Sequence, residues 1–142
     1  MSTAQHLRAI DLLCSRDLRA EHRGSHLRGP GFELTELLRT TFDDGGMGEY
    51  DTVAEQYEAE RDALLAPLGA KWGETHEIGL QGWQLRGGLG DEIPEPWHRL
   101  SGLAESLHVW RAGDRWLALG ITYHDGPALL RLVAAATDID PP

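Results

Sequence analysis

Apolar residues repeat with period two along the last third of the chain, and this repeat predicts an antiparallel sheet. In residues 105–111, Leu107 and Val109 point to one face and Trp110 to the other, because successive side chains of a strand alternate. The Gly and Asp of residues 112–114 favour a tight turn before the next apolar run. The pattern therefore predicts a β-hairpin.

Three further runs extend this sheet. Residues 116–124 place four large side chains on one face: Leu117, Leu119, Ile121 and Tyr123. Their opposite face is bare apart from Trp116 and His124. Residues 128–136 are apolar on both faces except at Arg131, which is typical of a central strand or one covered on both sides. A weaker alternation over residues 75–85 predicts a fourth strand.

Apolar residues at helical spacing predict two helices near the start of the chain. The first begins with Ser2 or Thr3 as its N-cap and runs to about Glu21, with arginines on the face opposite its apolar stripe. A short second helix is predicted over residues 34–42.

The helix with the clearest boundaries spans about residues 52–69. Thr52 and Glu55 have the spacing of a capping box. In this motif the Thr52 hydroxyl accepts a hydrogen bond from the backbone amide of Glu55, and the Glu55 carboxylate accepts one from the backbone amide of Thr52. Pro67 is expected to help end this helix. A short helical stub is also expected around Trp97.

Together these elements predict an α+β fold. We expect an antiparallel sheet of about four strands, with two or three N-terminal helices packed on one face. Residues 1–142 are interpreted as one domain, with a helical part over about 3–70 and a sheet part over about 75–137. The length of 142 residues is sufficient for a single hydrophobic core.

Charge narrows the classes of partner. The formal net charge is −10, and residues 31–62 alone hold ten acidic residues against two arginines. Such a field repels nucleic acid and anionic membranes and attracts basic proteins. A single cysteine and the lack of an apolar leader or membrane-length stretch predict a cytoplasmic protein.

Two sets of side chains are candidates for binding a partner. The first is acidic and centres on the 52–69 helix: Asp43, Asp44, Glu49, Asp51, Glu55, Glu58 and Asp62. It is either a docking surface, a solvated face, or a set of carboxylates paired with the arginines of the first helix. The second is an aromatic patch containing Trp110 and Trp116, for which core packing is the alternative.

No motif predicts catalysis. Two Glu-x-x-His spacings, at Glu95 and Glu105, match a metal-binding pattern that requires helices of a bundle, and the second lies on a predicted strand. Cys14 lies on an apolar stripe, where a buried thiol is inert. We therefore expect no catalytic residue, no metal and no cofactor.

The sequence resembles small acidic α+β bacterial proteins of the toxin-immunity type over about residues 50–136. The resemblance is carried by the Leu68-Gly-Ala-Lys-Trp-Gly-Glu74 segment, by Val109-Trp-Arg, and by His124-Asp-Gly-Pro127. It implies an acidic, non-enzymatic protein-binding module, in its most concrete version an inhibitor of a basic toxin.

Two other functions are open at this stage. One is a small enzyme or ligand-binding protein with a pocket lined by Trp83, His108, Trp110 and Tyr123. The other is a homodimeric structural protein joined through the second face of the sheet.

Overall fold

A computed structural model describes residues 2–18, 28–42, 49–124 and 129–142 of the chain. These residues form the following helices and strands: α1 (Thr3–Ser15), β1 (Arg28–Gly29), β2 (Phe32–Thr41), α2 (Tyr50–Trp72), β3 (His76–Gly79), α3 (Gln81–Gly88), α4 (Trp97–Ser101), β4 (Ser106–Ala112), β5 (Arg115–His124) and β6 (Leu129–Thr137).

All six strands form one antiparallel sheet in the order β1-β2-β6-β5-β4-β3. The predicted α+β class is therefore confirmed, although the sheet is wider than the four strands expected. The hairpin is confirmed as well: Ala112 pairs with Arg115, and Gly113 takes the positive φ of 69° that the two-residue turn requires. The run apolar on both faces, β6, lies in the interior of the sheet between β2 and β5.

The first face of the sheet is covered by α1 and α2, as the sequence predicts. Leu117 and Leu119 of β5 lie in one core cluster with Ile10 of α1 and with Leu64 and Leu68 of α2. All five side chains are at most 1% exposed. Burial of this size stabilises each large aliphatic side chain by about 1.5–3 kcal/mol relative to an exposed one, so these contacts fix the two helices on the sheet.

The second face is covered by α3 and α4, which the sequence did not predict there. Trp83 of α3 and Trp97 of α4 pack edge to face, with ring centroids 5.7 Å apart, in a cluster with Val109 of β4 and Val133 of β6. The sheet is thus a middle layer between two helical layers.

Gly120 explains why the second face of β5 is so bare. A Cβ atom built on Gly120 would lie 2.6 Å from Cδ2 of Leu107, 3.3 Å from the carbonyl oxygen of Ser106 and 3.9 Å from Cβ of Ala104. The missing side chain therefore makes room for the start of β4 to pack directly on the neighbouring strand.

The helix predicted over residues 34–42 is wrong, because this segment is strand β2. A bulge between Glu36 and Leu38 inserts one extra residue opposite β6. Since a bulge lets consecutive residues face the same side, Leu37 and Leu38 both pack on the α1–α2 side. With Leu34, this arrangement imitates the i, i+3, i+4 spacing of a helix.

Helix α1 has the predicted start and a different end. Ser2 is the N-cap and forms a capping box with Gln5. The helix ends at Ser15 instead of near Glu21, and Arg16 is extended. Leu18 is 5% exposed, and its carbonyl accepts a hydrogen bond from Gly31, so the chain leaves the helix to pack beside the β1–β2 turn.

Helix α2 extends beyond its predicted bounds at both ends. It begins at Tyr50 with Glu49 as an N-cap that makes no side-chain hydrogen bond, so the predicted capping box at Thr52 does not form. The Tyr50 ring packs on Phe42 at 5.1 Å, which favours the earlier start. Pro67 lies inside the helix, which ends at Gly73 with a positive φ of 92°.

The predicted strand over residues 75–85 is correct only for β3. After Gly79 the chain turns into α3, and Trp83 packs as a helical residue. The stub predicted around Trp97 is confirmed as α4.

The segment after β6 fastens two tryptophans of the second face. The indole nitrogen of Trp97 donates to the carbonyl of Ile139 at 3.0 Å, and that of Trp116 donates to Asp140 at 3.0 Å. Trp97 is fully buried, so its single polar group is satisfied only by this segment.

None of the helices in the described ranges combines the length and apolar character needed to cross a bilayer.

Candidate functional site

Four carboxylates of α2 form a continuous exposed stripe, which we call the acidic face: Asp51, Glu55, Glu58 and Asp62. Their spacing of four, three and four residues places them on one side of the helix over about 16 Å at 1.5 Å per residue. The opposite side of α2 carries Tyr57, Leu64 and Leu68 into the core. Core packing therefore fixes the direction in which the carboxylates point.

The acidic face is not neutralised within the part of the chain that the structure describes. Asp62 pairs with the neighbouring Arg61 at 3.1 Å, while Asp51, Glu55 and Glu58 make no ion pair there. Glu49, the N-cap of α2, is exposed, and Asp43 and Asp44 lie outside the described residues.

Most described arginines form ion pairs with acids outside the acidic face. This bears on the alternative that the carboxylates of α2 are paired with arginines of the first helix. Arg16, which follows α1, contacts Glu33 of β2 at 2.6 Å, and Arg131 of β6 contacts Glu36 of β2 at 2.8 Å. Further arginines pair with local acids: Arg86 with Asp91, Arg99 with Glu95, Arg111 with Asp140 and Arg115 with Asp114. Of the other arginines on the predicted basic stripe of the first helix, Arg8 is exposed and makes no ion pair among the described residues, and Arg19 and Arg23 lie outside them.

Contacts between α1 and α2 use a different side of α2. Lys71 binds Asp11 at 2.5 Å, and His6 lies 3.3 Å from Glu60. Glu60 is on the side of α2 that meets α1, away from the acidic face, so this pairing leaves the stripe unaffected.

Negative charge continues from the acidic face toward the ends of β4 and β5. Burial raises the pKa of Tyr123, and the carboxylates of Glu105 and Glu58 raise it further, while Arg61 lowers it. Burial likewise raises the pKa of Tyr50, with further contributions from Tyr123 and Asp51. Both tyrosines therefore lie in a field that disfavours additional negative charge.

His108 lies on the same side of the sheet as α2, toward its β3 edge. Its side chain is 8% exposed, and its Nδ1 atom has no hydrogen-bond partner. Burial lowers the pKa of His108, and Arg61 lowers it further, against smaller opposite effects of Glu77 and Asp62. Its surroundings therefore favour the neutral form of the ring.

The structure separates the two tryptophans that the sequence grouped as an aromatic patch. Trp110 is fully buried in the core under α1 and α2, so its side chain is not part of the surface. Trp116 is on the opposite face and half-buried, with the guanidinium of Arg111 5.0 Å from its ring and Asp140 on its indole nitrogen. The side chain of His124 lies outside the described part of the structure.

The second sheet face, considered above for a homodimer, is largely covered within the chain. Ala118 and Ala135 are each 2% exposed beneath the layer formed by α3 and α4. The strands themselves therefore expose little apolar area there, while Leu85 and Leu89 in the covering α3 layer are exposed.

A cavity of about 580 Å³ opens where α3, the α4–β4 connection and the end of β5 meet. We call it the Tyr123 cavity. Its walls are Gln81, Gln84, residues 101–105 and Tyr123. Of the pocket residues expected from the sequence, Tyr123 lines it, whereas Trp83, His108 and Trp110 do not. The Tyr123 side chain also packs against the core cluster under α1 and α2.

Sequence reasoning missed Gln81, Gln84 and Glu105 as site residues. The only available signal was the helical register of α3, because glutamines three residues apart share one face of a helix. The alternation over residues 75–85 instead suggested a strand.

The hydroxyl of Ser101 and the thiol of Cys14 lie in settings that limit their reactivity. No group of three His, Cys, Asp or Glu side chains there is placed to hold a metal ion. The hydroxyl of Ser101 donates to the carbonyl of His98 at 2.7 Å and so is occupied in local structure. Burial raises the pKa of the Cys14 thiol, which disfavours the reactive thiolate.

Comparisons with protein-family models, with curated proteins and with solved structures gave no significant match for this chain.

Proposed function

We propose that this protein is a non-enzymatic binding module that docks a basic protein on the acidic face of α2. The observation that carries the proposal is that Asp51, Glu55 and Glu58 are exposed and make no ion pair among the described residues, whereas most described arginines pair with other acids. An immunity-type inhibitor of a basic toxin is the most concrete version.

The acidic face has a cost for the free protein. Like charges three or four residues apart on a helix are destabilising by about 0.2–0.5 kcal/mol per pair. The face contains three such neighbouring pairs: Asp51 with Glu55, Glu55 with Glu58, and Glu58 with Asp62. A cationic partner would relieve this repulsion on binding, so the arrangement favours the bound state.

Rigidity supports the same role. Helix α2 is anchored by Tyr57, Leu64 and Leu68, which are at most 5% exposed, and the Tyr57 hydroxyl is 2.6 Å from that of Thr40 on β2. A charge array on an anchored helix binds with little loss of conformational entropy. Its field also accelerates encounter with an oppositely charged partner.

The test is a pair of matched double charge reversals. Glu55→Lys with Glu58→Lys changes the acidic face, and Glu74→Lys with Glu92→Lys makes the same change in net charge at exposed acids elsewhere that have no ion pair among the described residues. Circular dichroism and thermal unfolding establish that both variants fold.

Affinity capture from the native lysate at low salt then identifies partners, and purified partner is used to measure association rates. We expect a basic protein that is retained by the wild type and the control, lost by the acidic-face variant, and released at about 0.5 M salt, where screening shortens the reach of a charge to roughly 4 Å. Equal retention by the two double variants, or no retained basic protein, would contradict docking on this face. For the immunity version, the captured partner should be toxic to cells that lack the chain and harmless to cells that produce it.

A further inference from the structure

The Tyr123 cavity has a framework fixed by backbone hydrogen bonds. The amide of Leu80 donates to the carbonyl of Glu105 at 3.0 Å, and the amide of Tyr123 donates to that of Leu103 at 2.8 Å. The amide of Ala104 donates to Leu100 at 2.9 Å, which joins the floor of the cavity to α4. The start of α3, the α4–β4 connection and the end of β5 are therefore held together before anything binds.

Polar side chains on these walls have unused hydrogen-bonding capacity. Within the described residues, the carboxamides of Gln81 and Gln84, the carboxylate of Glu105 and the hydroxyl of Tyr123 make no hydrogen bond or ion pair. They supply two amide donor–acceptor groups, one anion and one phenol. In contrast, the hydroxyl of Ser101 is already engaged.

The charge of the cavity selects a cation. Among the described residues that line it, Glu105 is the only one with a formal charge, and none is a lysine or an arginine. Burial raises the pKa of Tyr123, and the carboxylates of Glu105 and Glu58 raise it further, in the direction expected for a negative potential at this wall. An anionic ligand would be repelled, whereas an ammonium group could contact both the carboxylate and the aromatic ring.

We propose that the Tyr123 cavity binds a small organic amine, whose ammonium group contacts Glu105 and Tyr123 and whose polar arm is hydrogen-bonded by Gln81 and Gln84. Its volume of about 580 Å³ lies within the usual range of about 300–1,000 Å³ for small-molecule sites. This site is separate from the docking of a protein on the acidic face and does not depend on it.

The probe is ethanolamine, with ethylene glycol as its neutral counterpart of nearly the same size. Heteronuclear NMR follows the side-chain amide signals of Gln81 and Gln84 and the backbone signals of residues 101–105 during titration. For so small a probe we expect a dissociation constant on the order of millimolar. Ethanolamine should shift these signals in a saturable way, and ethylene glycol should not.

Two variants distinguish binding of ethanolamine in the cavity from a general attraction to negative surface charge. Glu105→Gln should weaken ethanolamine binding by about tenfold or more, because it removes the charge and keeps the shape. Its backbone carbonyl, which accepts from Leu80, is retained. Glu92→Gln removes an equally exposed carboxylate outside the cavity and should bind as the wild type does.

Three results would overturn the proposal: no saturable shift at the cavity residues, equal shifts with the amine and the neutral diol, or equal loss of binding in the two variants.

Discussion

Gly120 allows a quantitative test of how β4 packs on β5. In Gly120→Ala, the new methyl group would begin 2.6 Å from Cδ2 of Leu107 and 3.3 Å from a backbone oxygen of Ser106. Leu107 is 1% exposed, so its side chain has little room to move away. Overpacking a core position of this kind typically costs about 1–3 kcal/mol.

The same substitution also has a stabilising effect, which must be subtracted from this steric cost. Replacing Gly by Ala restricts the unfolded chain and removes a weak point of the strand, which stabilises by about 0.5–1 kcal/mol where the new methyl group fits. The steric term is larger, so we expect Gly120→Ala to lower the free energy of unfolding by about 1–2 kcal/mol. For a chain of this length, that corresponds to a fall in Tm of roughly 3–8 °C.

Gly79 of β3 provides the matched control, because a Cβ atom there would meet nothing within 4 Å. Gly79→Ala should therefore be neutral or stabilising. Both variants are compared by urea unfolding followed by tryptophan fluorescence, with the slope against denaturant checked for constancy.

A double-mutant cycle locates the clash. Leu107→Ala alone should destabilise by about 2–5 kcal/mol, and the double variant with Gly120→Ala should be less destabilised than the sum of the two. If Gly120→Ala is as stable as Gly79→Ala, or if the two changes are simply additive, the close packing of Leu107 on Gly120 is refuted.

Two further predictions concern buried polar groups. Folding lowers the pKa of His108, so as the pH falls this histidine is protonated in the unfolded chain before it is protonated in the folded one. The contribution of His108 to the free energy of unfolding should therefore be fully present above the ordinary histidine pKa of about 6.5 and should decrease as the pH drops below it. His108→Gln should reduce the loss of Tm between about pH 7.5 and 5. The control His98→Gln, at an exposed histidine, should not. If Tm changes with pH equally in both variants, His108 is not the cause. Trp97→Phe should cost about 1–3 kcal/mol in chemical unfolding because it removes the buried hydrogen bond to Ile139, and the half-exposed Trp116→Phe should cost less; the reverse order would contradict the anchoring role of Ile139.

The sheet could be predicted from the sequence wherever side-chain alternation was regular. The hairpin turn at Gly113 and the interior position of β6 followed from turn chemistry and from apolar residues on both faces. Strand β2 could not be recognised, because its bulge places Leu37 and Leu38 on the same side and so imitates a helix. A bulge depends on the register with β6, which lies about 95 residues away in the chain.

The candidate site was predictable only where it depends on local periodicity. The line of carboxylates on α2 needs only helical periodicity, and the structure places Asp51, Glu55, Glu58 and Asp62 on one exposed side. The Tyr123 cavity was not predictable, because its walls come together only through long-range backbone pairing between separate elements. Trp110 was equally ambiguous in the sequence, since alternation gives its face and does not tell whether a helix covers that face.

The position of β6 in the sheet determines how late the protein can fold during its synthesis on the ribosome. Strand β2 emerges early, yet its long neighbour in the described sheet is β6, which is synthesised about ninety residues later. The Leu34 and Leu37 side chains of β2 must therefore wait for their neighbours on β6 until translation has passed residue 137. Such delayed pairing slows folding and exposes the nascent chain to aggregation, so we expect this protein to complete its fold only after most of it has left the exit tunnel.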